Sequence, residues 1–435
     1  MTWKTAEYAG WGRFFTARGE LARPERISAL SRLATETPAP AIGACRSYAD
    51  ACLNAGGRAI TTARLNRLLG FDAETGILTA EAGVPLGDIV TAFGAKGWLP
   101  TILPGTGFAT VGGAIAMDVH GKNHHQKGSF GQHVVELTLH LPDGPRTITP
   151  EDPLFAATVG GMGQTGPIGT VKLQMQPVRG DVMMVTEQRM PNLDSFLDHL
   201  DRSEATYTVG WIDATAKGDA LGRGILEEGE TGPGLVPPAK RGKRVPMDAP
   251  SFALSGPIVR NFNAAYYRRI PERGRTVVKP LEDFFFPLDK IHDWNRLYGK
   301  RGFHQFQCVV PIAAREVLRD MLNRVSASGL ASPLAVLKRM GPGNAGMMSF
   351  PTEGYTLAID FPARDEAPDM IRTLIGLVQD VGGRVYLAKD AFATAEQMDA
   401  MYPDRAAWAE IVNDLDPEHA YETDLTRRLA LRTQT

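Results

Sequence analysis

The chain has 435 residues and a formal net charge of −2, with 43% hydrophobic and 22% charged residues. This composition is ordinary for a soluble globular protein of about two domains, and the charge balance does not indicate a nucleic-acid-binding face, so no nucleic-acid partner is expected. Cys45, Cys52 and Cys308 are irregularly spaced, so no disulfide framework is expected. Because no signal peptide or membrane-spanning stretch is visible, we expect a protein that is cytoplasmic or peripheral at the inner membrane, and a periplasmic location stays open.

The first half of the chain alternates short apolar strands with turns and two helices. The apolar spacing predicts strands at 58–65, 77–82, 133–141 and 170–175, a further strand after the Pro142–Gly144 turn, and helices at 85–96 and 154–159.

The second half begins with a helix near 195–200 and a strand at 207–213. Residues 222–251 mix Gly, Pro and charge without periodicity, which predicts a long mobile loop of the kind that closes over a site. A strand-helix-strand-strand-helix-strand order follows, typical of a ferredoxin-like fold; its elements are predicted at 305–311, 313–326, 334–338, 355–361, 367–381 and 384–387. The tail, 404–432, is predicted to be helical and to pack on the first domain.

Residues 104–131 contain seven glycines interleaved with Thr, Ser, Asn, His and Lys. Glycine-rich backbone approaches ligands closely, and its N–H groups form anion-binding concavities. The Rossmann fingerprint is absent because Thr110 stands where its third Gly belongs. A surface turn would not explain the apolar residues Val111 and Ala114–Ala116. The run therefore predicts a loop around a phosphate-bearing cofactor.

Several polar residues are candidates for chemistry. The run from His120 to His125 matches no zinc spacing, so no metal is expected, and it suits phosphate binding and proton handling; a polar surface loop is the alternative. Lys389 follows a strand, where its charge could stabilise an anionic reduced flavin, although a solvated strand end is the more ordinary interpretation. Neither G-x-S-x-G nor a P-loop occurs.

Together these motifs resemble the FAD-linked oxidases of the vanillyl-alcohol oxidase type. The resemblance is carried by Ala82-Gly83-Val84, Pro104-Gly105, Thr110–Gly113 and a second Gly-rich turn at 160–169. It implies an α+β fold, in which a two-subdomain FAD-binding domain of the PCMH type carries a ferredoxin-like α+β substrate (cap) domain. The implied division is 1–181 for the FAD domain, 182–383 for the cap, and 384–435 for a segment that returns to the FAD domain.

Within that superfamily, the strings CRSYAD, MDVHGKNHHQKGSFG, TVGGMGQTG, YLAKD and DLTRRL resemble the polyprenyl-phosphoryl-β-D-ribose 2-oxidases. The resemblance implies oxidation of the ribose C2 hydroxyl by FAD to a 2-keto sugar, as the first half of an epimerisation that makes the arabinose donor of cell walls. An NAD(P)H-dependent reductase would be the partner. The alternatives are an FAD enzyme acting on another sugar, alditol or lactone, and a flavin-binding subunit without turnover.

The resemblance also implies site residues. The catalytic candidates are Lys389 and His120. The substrate candidates are Lys122, Gln305, Gln307, Lys338 and Tyr48. The residues implied to line FAD are Ala41, Ile42, Gly43, Ala44, Cys45, Arg46, Ser47, Tyr48, Ala49, Asp50, Ala51, Gly105, Thr110, Val111, Gly112, Gly113, Met117, Asp118, Val119, His120, Asn123, Ile168, Tyr386 and Lys389.

The chain departs from its relatives at a few positions. Arg46 stands where many flavin-linked relatives carry the histidine that bonds covalently to FAD, which implies dissociable FAD. Ala358 stands where mycobacterial members have a cysteine, and Ala49 where Gly is commoner. A basic cluster, Lys240, Arg241, Lys243 and Arg244, suggests peripheral contact with a bilayer.

Overall fold

The computed structural model describes residues 2–237 and 242–433, and its N-terminal part is a small mixed sheet. The elements are β1 (Lys4–Ala9), β2 (Thr16–Ala22), α1 (Ile27–Glu36), β3 (Ala41–Ile42) and β4 (Arg58–Thr61). The strand order is β1-β2-β4-β3, with β3 parallel to β4. Helix α1 buries Leu30, Leu33 and Ala34, because residues three and four apart share one helix face. The early turn, residues 41–51, begins with the edge strand β3 and leads into the chain that returns as β4.

A second, antiparallel sheet follows, in the order β5-β6-β10-β8-β9, with β7 pairing the end of β10. Its elements are β5 (Leu68–Asp72), β6 (Ile77–Glu81), α2 (Leu86–Phe93), β7 (Trp98–Pro100), α3 (Val111–Ala116), α4 (His124–Lys127), β8 (Val134–Leu141), β9 (Gly144–Ile148), α5 (Pro153–Thr158) and β10 (Ile168–Pro177). The strands and helices predicted for this half are found within a few residues of their predicted bounds.

The third sheet contains two ferredoxin-like units side by side. The first is formed by β11 (Val182–Met190), α6 (Leu193–Arg202), β12 (Tyr207–Ile212), β13 (Gly224–Gly232), α7 (Gly256–Arg268) and β15 (Arg275–Pro280), and the second by β17 (Phe303–Val310), α9 (Glu316–Ser328), β18 (Ala335–Met340), β19 (Gly354–Pro362), α10 (Ala367–Gln379) and β20 (Arg384–Val385). Smaller elements between them are β14 (Lys243–Arg244), α8 (Leu281–Phe285) and β16 (Ile291–His292).

The sheet order is β15-β11-β13-β12-β18-β19-β17-β20, so each unit has its own strands in the order 4-1-3-2. The second strands of the two units, β12 and β18, pair antiparallel at Gly210–Leu337 and Trp211–Val336. The prediction of a ferredoxin-like fold is therefore confirmed for the second unit. The first unit has the same fold, which was not predicted from the sequence.

The prediction of a long loop at 222–251 is wrong for about the first third of that range. Residues 224–232 form β13, a central strand paired with both β11 and β12. The glutamates of β13 are compatible with a sheet because neighbouring elements supply partners for their carboxylates. Lys279 Nζ lies 3.0 Å from Glu227 Oε1, and Thr206 Oγ1 donates to Glu230 over 2.7 Å. Of the basic cluster, Lys243 and Arg244 form β14, whereas Lys240 and Arg241 lie outside the described residues.

The C-terminal helices are α11 (Ala395–Met401), α12 (Arg405–Leu415) and α13 (Asp424–Arg428). Trp408 Nε1 donates to the Ala157 carbonyl over 3.0 Å, and the Asp424 N–H donates to Leu53 over 2.8 Å. Arg428 joins the carboxylates of Asp50 and Asp390, at 2.7 and 3.0 Å. The tail thus packs on the N-terminal sheets.

We propose that the chain divides as 1–181, 182–383 and 384–435, since the second sheet ends at Pro177 and the third begins at Val182. Strand β20 pairs with β17, so the returning segment first contributes an edge strand to the third sheet. Among the described residues, no helix has the length and apolar character needed to cross a membrane.

Removing the Arg428 guanidinium is expected to destabilise the protein, because Asp50 and Asp390 are almost fully buried and would be left as unmatched charges. Arg428→Ala should lower the free energy of unfolding by about 3 kcal/mol. The neighbouring Arg427, whose side chain is more exposed, is the control, and Arg427→Ala should cost less than about 1 kcal/mol. Urea unfolding monitored by tryptophan fluorescence measures both; equal losses would contradict the prediction.

Candidate active site

Three glycine-rich loops meet around α3. The Thr110 hydroxyl caps this helix by accepting from the Gly113 N–H over 3.2 Å. A Cβ on Gly43 would lie 2.5 Å from the same hydroxyl, so the early turn approaches the helix closely only because residue 43 is glycine. From the third loop, the Gly160 and Met162 N–H groups donate to Ile115 and Ala116 over 2.9 and 2.8 Å. The predicted cofactor loops therefore form one continuous cradle.

The segment that carries Lys389 packs against this cradle. The Tyr48 N–H donates to the Ala388 carbonyl over 2.9 Å, and the Tyr386 hydroxyl donates to the Met117 carbonyl over 3.0 Å. Lys389 Nζ lies 3.4 Å from the centroid of the Tyr48 ring, which is close enough for a cation–π interaction. Thus Tyr48 of the early turn lies beside the segment that carries Tyr386 and Lys389, which is far from it in the sequence.

Arg46 lies in the early turn between two aromatic rings. Its guanidinium carbon is 4.1 Å from the centroid of Trp11 and 4.5 Å from that of Phe108. Its Nε is buried without a hydrogen-bond partner in the described residues, and burial lowers the pKa of the group although Asp289 opposes this. A buried donor with no partner is costly, so the position suits an anion such as a pyrophosphate.

The strands β17 and β19 supply the polar residues of the cap side. Gln305 and Gln307 are two residues apart and lie on one face of β17. The Gln305 amide donates to Asp360 over 2.5 Å, and the Tyr298 hydroxyl donates to the other Asp360 oxygen over 2.8 Å. Burial raises the pKa of Asp360 to about 7, even though both hydrogen bonds favour the carboxylate. Ala358, the position of the family cysteine, pairs with Gln307 in the sheet register.

His120 is buried against this strand. The Gln307 amide nitrogen lies 3.0 Å from His120 Nε2, and the imidazole contacts the rings of Phe350 and Tyr386 at 5.5 and 5.4 Å between centroids. Burial, with a smaller contribution from Lys338, holds the pKa of His120 well below its usual value. The ring is therefore neutral at neutral pH, and its Nε2 lone pair accepts a hydrogen bond from the Gln307 amide.

Of the three predicted lysines nearby, Lys122 is buried, and Lys338 and Lys389 are half-buried. Burial lowers the pKa of Lys122 and Lys389 to about 7 and that of Lys338 to about 8. Lys122 Nζ donates to the Phe284 carbonyl and lies 4.0 Å from the centroid of the Phe284 ring. The negative charge of Asp360 partly opposes this lowering of the pKa for Lys389, and that of Glu227 does so for Lys122. Among the described residues, no carboxylate opposes it for Lys338. Such a group of desolvated cations is suited to a bound anion.

Some predicted cofactor residues have protein partners of their own. Asp50 is held by Arg428, and Asp118 accepts from the Gly131 N–H over 2.9 Å and from Ser349 Oγ. The Asn123 amide donates to the Thr101 carbonyl over 2.8 Å, and Ile168 is buried in β10. These contacts shape the loops. Cys45 has a left-handed φ of 49°, which marks the sharp bend of the early turn.

Four residues that border the site are not among the residues predicted for it: Asp360, Tyr298, Phe350 and Thr356. Asp360 was visible as the one acid in an otherwise apolar strand, and such a strand is buried on both faces. No sequence signal marked Tyr298, which reaches Asp360 from the segment between the two ferredoxin-like units. Thr356 accepts from the Gln307 amide over 3.1 Å.

The residues present fit the FAD that the resemblance implies. Gly43 and Gly112 leave no room for a Cβ where the loops meet, the buried Arg46 Nε has no partner, and the lysines are desolvated. A phosphate-bearing, negatively charged cofactor satisfies these features. The described residues contain no cluster of His, Cys, Asp and Glu that could hold a metal ion.

Comparison with known proteins agrees with this geometry. A family model described as an FAD binding domain matches residues 20–149. Decaprenylphosphoryl-beta-D-ribose oxidase of Mycolicibacterium smegmatis is 37% identical over 98% of this chain and 98% of its own length. An uncharacterized protein of Streptomyces coelicolor is 33% identical over 77% of this chain and 96% of its own length. L-gulono-1,4-lactone dehydrogenase of Mycobacterium tuberculosis is 22% identical over 89% of each chain. By its full-length identity to the first of these, the chain belongs to the decaprenylphosphoryl-beta-D-ribose oxidase family of FAD-linked oxidases.

Proposed function

We propose that this protein oxidises the C2 hydroxyl of a polyprenyl-phosphoryl-β-D-ribose to the 2-keto sugar, with FAD as the cofactor. The observation that carries the proposal is the 37% identity over 98% of the chain to a decaprenylphosphoryl-beta-D-ribose oxidase. The buried lysines support a phosphorylated substrate. An NAD(P)H-dependent reductase is proposed as the partner that reduces the ketone to the arabino epimer.

FAD, when bound, supplies a flavin ring that accepts the hydride from C2. In this proposal residues 41–51, 104–113 and 160–169 would surround the cofactor, and Arg46 would contact its pyrophosphate. Lys389 is proposed to face the flavin, where its ammonium stabilises negative charge that develops on the ring. Tyr48, against which Lys389 packs, orients the ammonium.

His120 is the proposed acceptor of the C2 hydroxyl proton. Its low pKa keeps the imidazole neutral, and the Gln307 amide beside Nε2 fixes the ring orientation. Lys389 is the second candidate for this base, since its pKa of about 7 leaves part of the amine neutral at neutral pH. Gln305 is proposed to contact the sugar from the same strand face as Gln307.

Lys122 and Lys338 are the proposed phosphate contacts. Lys122 is buried and Lys338 is half-buried, and a phosphodiester between them would gain interactions that are screened less by water than at an exposed lysine. A free sugar, alditol or lactone would leave these cations without an anion. A flavin-binding subunit without turnover has no use for the neutral His120 or for Lys389. Both alternatives therefore fit the site less well.

An anaerobic titration with a short-chain prenylphosphoryl ribose tests the function. We expect the oxidised-flavin absorbance to bleach at near-stoichiometric substrate. Lys122→Met and Lys338→Met should each lower kcat/KM for this substrate by roughly tenfold to a hundredfold, because each removes a charged contact. Lys172→Met, at an exposed lysine paired with Glu136, is the matched control and should behave like the wild type.

If the flavin stays oxidised with this substrate, the proposed substrate is wrong, and the protein would act on another sugar or alcohol. Full activity of both Lys122→Met and Lys338→Met would contradict the phosphate assignment.

Substrate affinity should fall as the pH rises. The pKa of Lys122 is lowered to about 7 and that of Lys338 to about 8, so both lose their charge at a lower pH than ordinary lysines. Since the phosphodiester keeps its charge, the Kd should rise by about tenfold per pH unit for each required proton between about pH 7 and pH 9. Flavin fluorescence titrations at several pH values measure this; a Kd independent of pH would contradict it.

The flavin should dissociate when the protein is precipitated with acid. Arg46 takes the place of the linking histidine, and a guanidinium held between two aromatic rings is not a nucleophile. The absorbance spectrum of the supernatant measures released FAD. Flavin that stays with the polypeptide would show a covalent bond at another residue.

A further inference from the structure

We infer that Asp360 is a positioning residue that sets which sugar hydroxyl the site recognises. It holds the Gln305 amide by its nitrogen, so that the amide presents its carbonyl oxygen to a hydroxyl other than the one at C2. Gln305 is then an acceptor for one hydroxyl of the substrate. The inference rests on the proposed function, because only a sugar in the site brings a hydroxyl to this oxygen.

Asp360 is fully buried and accepts a hydrogen bond at each of its carboxylate oxygens. The Gln305 amide nitrogen donates to one oxygen over 2.5 Å, and the Tyr298 hydroxyl donates to the other over 2.8 Å. Although burial raises the pKa of Asp360, both of these hydrogen bonds and the positive charge of Lys389 favour the carboxylate. Asp360 therefore acts toward Gln305 as an acceptor.

This contact fixes the orientation of the Gln305 amide. The nitrogen of an amide only donates and its oxygen only accepts, so the two ends of the group are not interchangeable. If the carbonyl oxygen of Gln305 faced Asp360, two acceptors would meet in a buried place without a donor between them, which is costly. Gln305 and Asp360 are directly opposite each other in the register of β17 and β19. The nitrogen therefore stays on the Asp360 side, and the oxygen points away from Asp360.

The amide of Gln305 also borders the early turn. The Tyr48 hydroxyl lies within hydrogen-bonding reach of the Gln305 amide, and Lys389, which is proposed to face the flavin, lies 3.4 Å from the centroid of the Tyr48 ring. Apart from Asp360 and Tyr48, the Gln305 side chain has no hydrogen-bond partner among the described residues. Because a carbonyl oxygen has two lone pairs, it can accept from Tyr48 and from one sugar hydroxyl at the same time.

Gln307, on the same face of β17, is held by its nitrogen in the same way. This nitrogen lies 3.0 Å from His120 Nε2 and donates to Thr356 Oγ1 over 3.1 Å, so both N–H groups have acceptors and the carbonyl oxygen is left. Residues two positions apart on a strand are separated by roughly 7 Å, so the two glutamine oxygens reach different hydroxyls of one ribose. Because Gln307 borders His120, the proposed acceptor of the C2 proton, the Gln305 oxygen serves the hydroxyl at C3 or C5.

Combining protein variants with deoxy substrates tests the inference. Anaerobic flavin reduction in the FAD-loaded, full-length protein gives kcat/KM for a short-chain prenylphosphoryl ribose and for its 3-deoxy and 5-deoxy analogues. In the wild type, one analogue should lose roughly tenfold to a hundredfold in kcat/KM, because the Gln305 oxygen then lacks its donor. Gln305→Met and Asp360→Leu should lower kcat/KM for the parent sugar by a similar factor. Neither variant should lose more with that analogue, since the contact is already absent.

The conservative variant Asp360→Asn separates positioning from a merely structural role. Its side-chain oxygen can still accept from the Gln305 amide, and the Tyr298 hydroxyl can donate to Ser332 Oγ, 3.1 Å away, in place of the lost carboxylate oxygen. Asp360→Asn should therefore keep the discrimination against the deoxy analogue that Asp360→Leu loses.

A glutamine outside the site provides the matched control. The Gln176 amide nitrogen donates to the Tyr207 hydroxyl over 2.7 Å, so Gln176→Met also removes a partly buried, hydrogen-bonded amide. This variant should discriminate between the parent sugar and its analogues like the wild type.

Several results would overturn the inference. They are a wild type that accepts both analogues as well as the parent sugar, further losses with both analogues in Asp360→Leu, and an Asp360→Asn variant that discriminates no better than Asp360→Leu. If Asp360→Leu does not fold, Gln305→Met with the same analogues decides. A wild-type flavin that the parent sugar never reduces would instead refute the proposed function, and the inference would fail with it. Reduction by the parent sugar without the expected discrimination would refute the role of Asp360 alone.

Discussion

Arg428 lies between Asp50 and Asp390, and this buried three-part ion pair joins the early turn to the segment that carries Lys389. Both carboxylates are almost inaccessible, so neither segment can move away without leaving a charge unmatched in a medium of low polarity. The contact of Lys389 with Tyr48 and the hydrogen bond from Tyr48 to Ala388 depend on that attachment. The short helix α13, far along the chain, thereby fixes the geometry of the site.

Burial then decides the electrostatics of the side chains that this attachment brings together. It lowers the pKa of the lysines and of His120, and it raises that of Asp360. All these groups are shifted toward their neutral forms, because the interior disfavours charge of either sign. A bound anion would raise the pKa of the lysines again and so favour their charged forms. Hence the site is prepared to hold a negatively charged ligand and to keep a neutral imidazole beside it.

The cap owes its shape to two ferredoxin-like units that share one continuous sheet. Joining them through β12 and β18 removes an exposed edge from each unit. The connection between the units, residues 281–302, brings Tyr298 to Asp360 and the Phe284 carbonyl to Lys122.

The sequence by itself determined the glycine-rich loops, the absence of a Rossmann fingerprint, the second ferredoxin-like unit and most of the polar residues of the site. These follow from local patterns: glycine spacing, alternation in strands and periodicity in helices. Only the tertiary structure decided that residues 224–232 form a strand, because its glutamates are matched by Lys279 and Thr206 on other elements. It also decided the roles of Asp360 and Tyr298, whose significance arises from burial and from partners distant in the chain. Contacts between charged or buried side chains that are distant in the chain produce no periodic pattern in the sequence, so the sequence alone does not predict them.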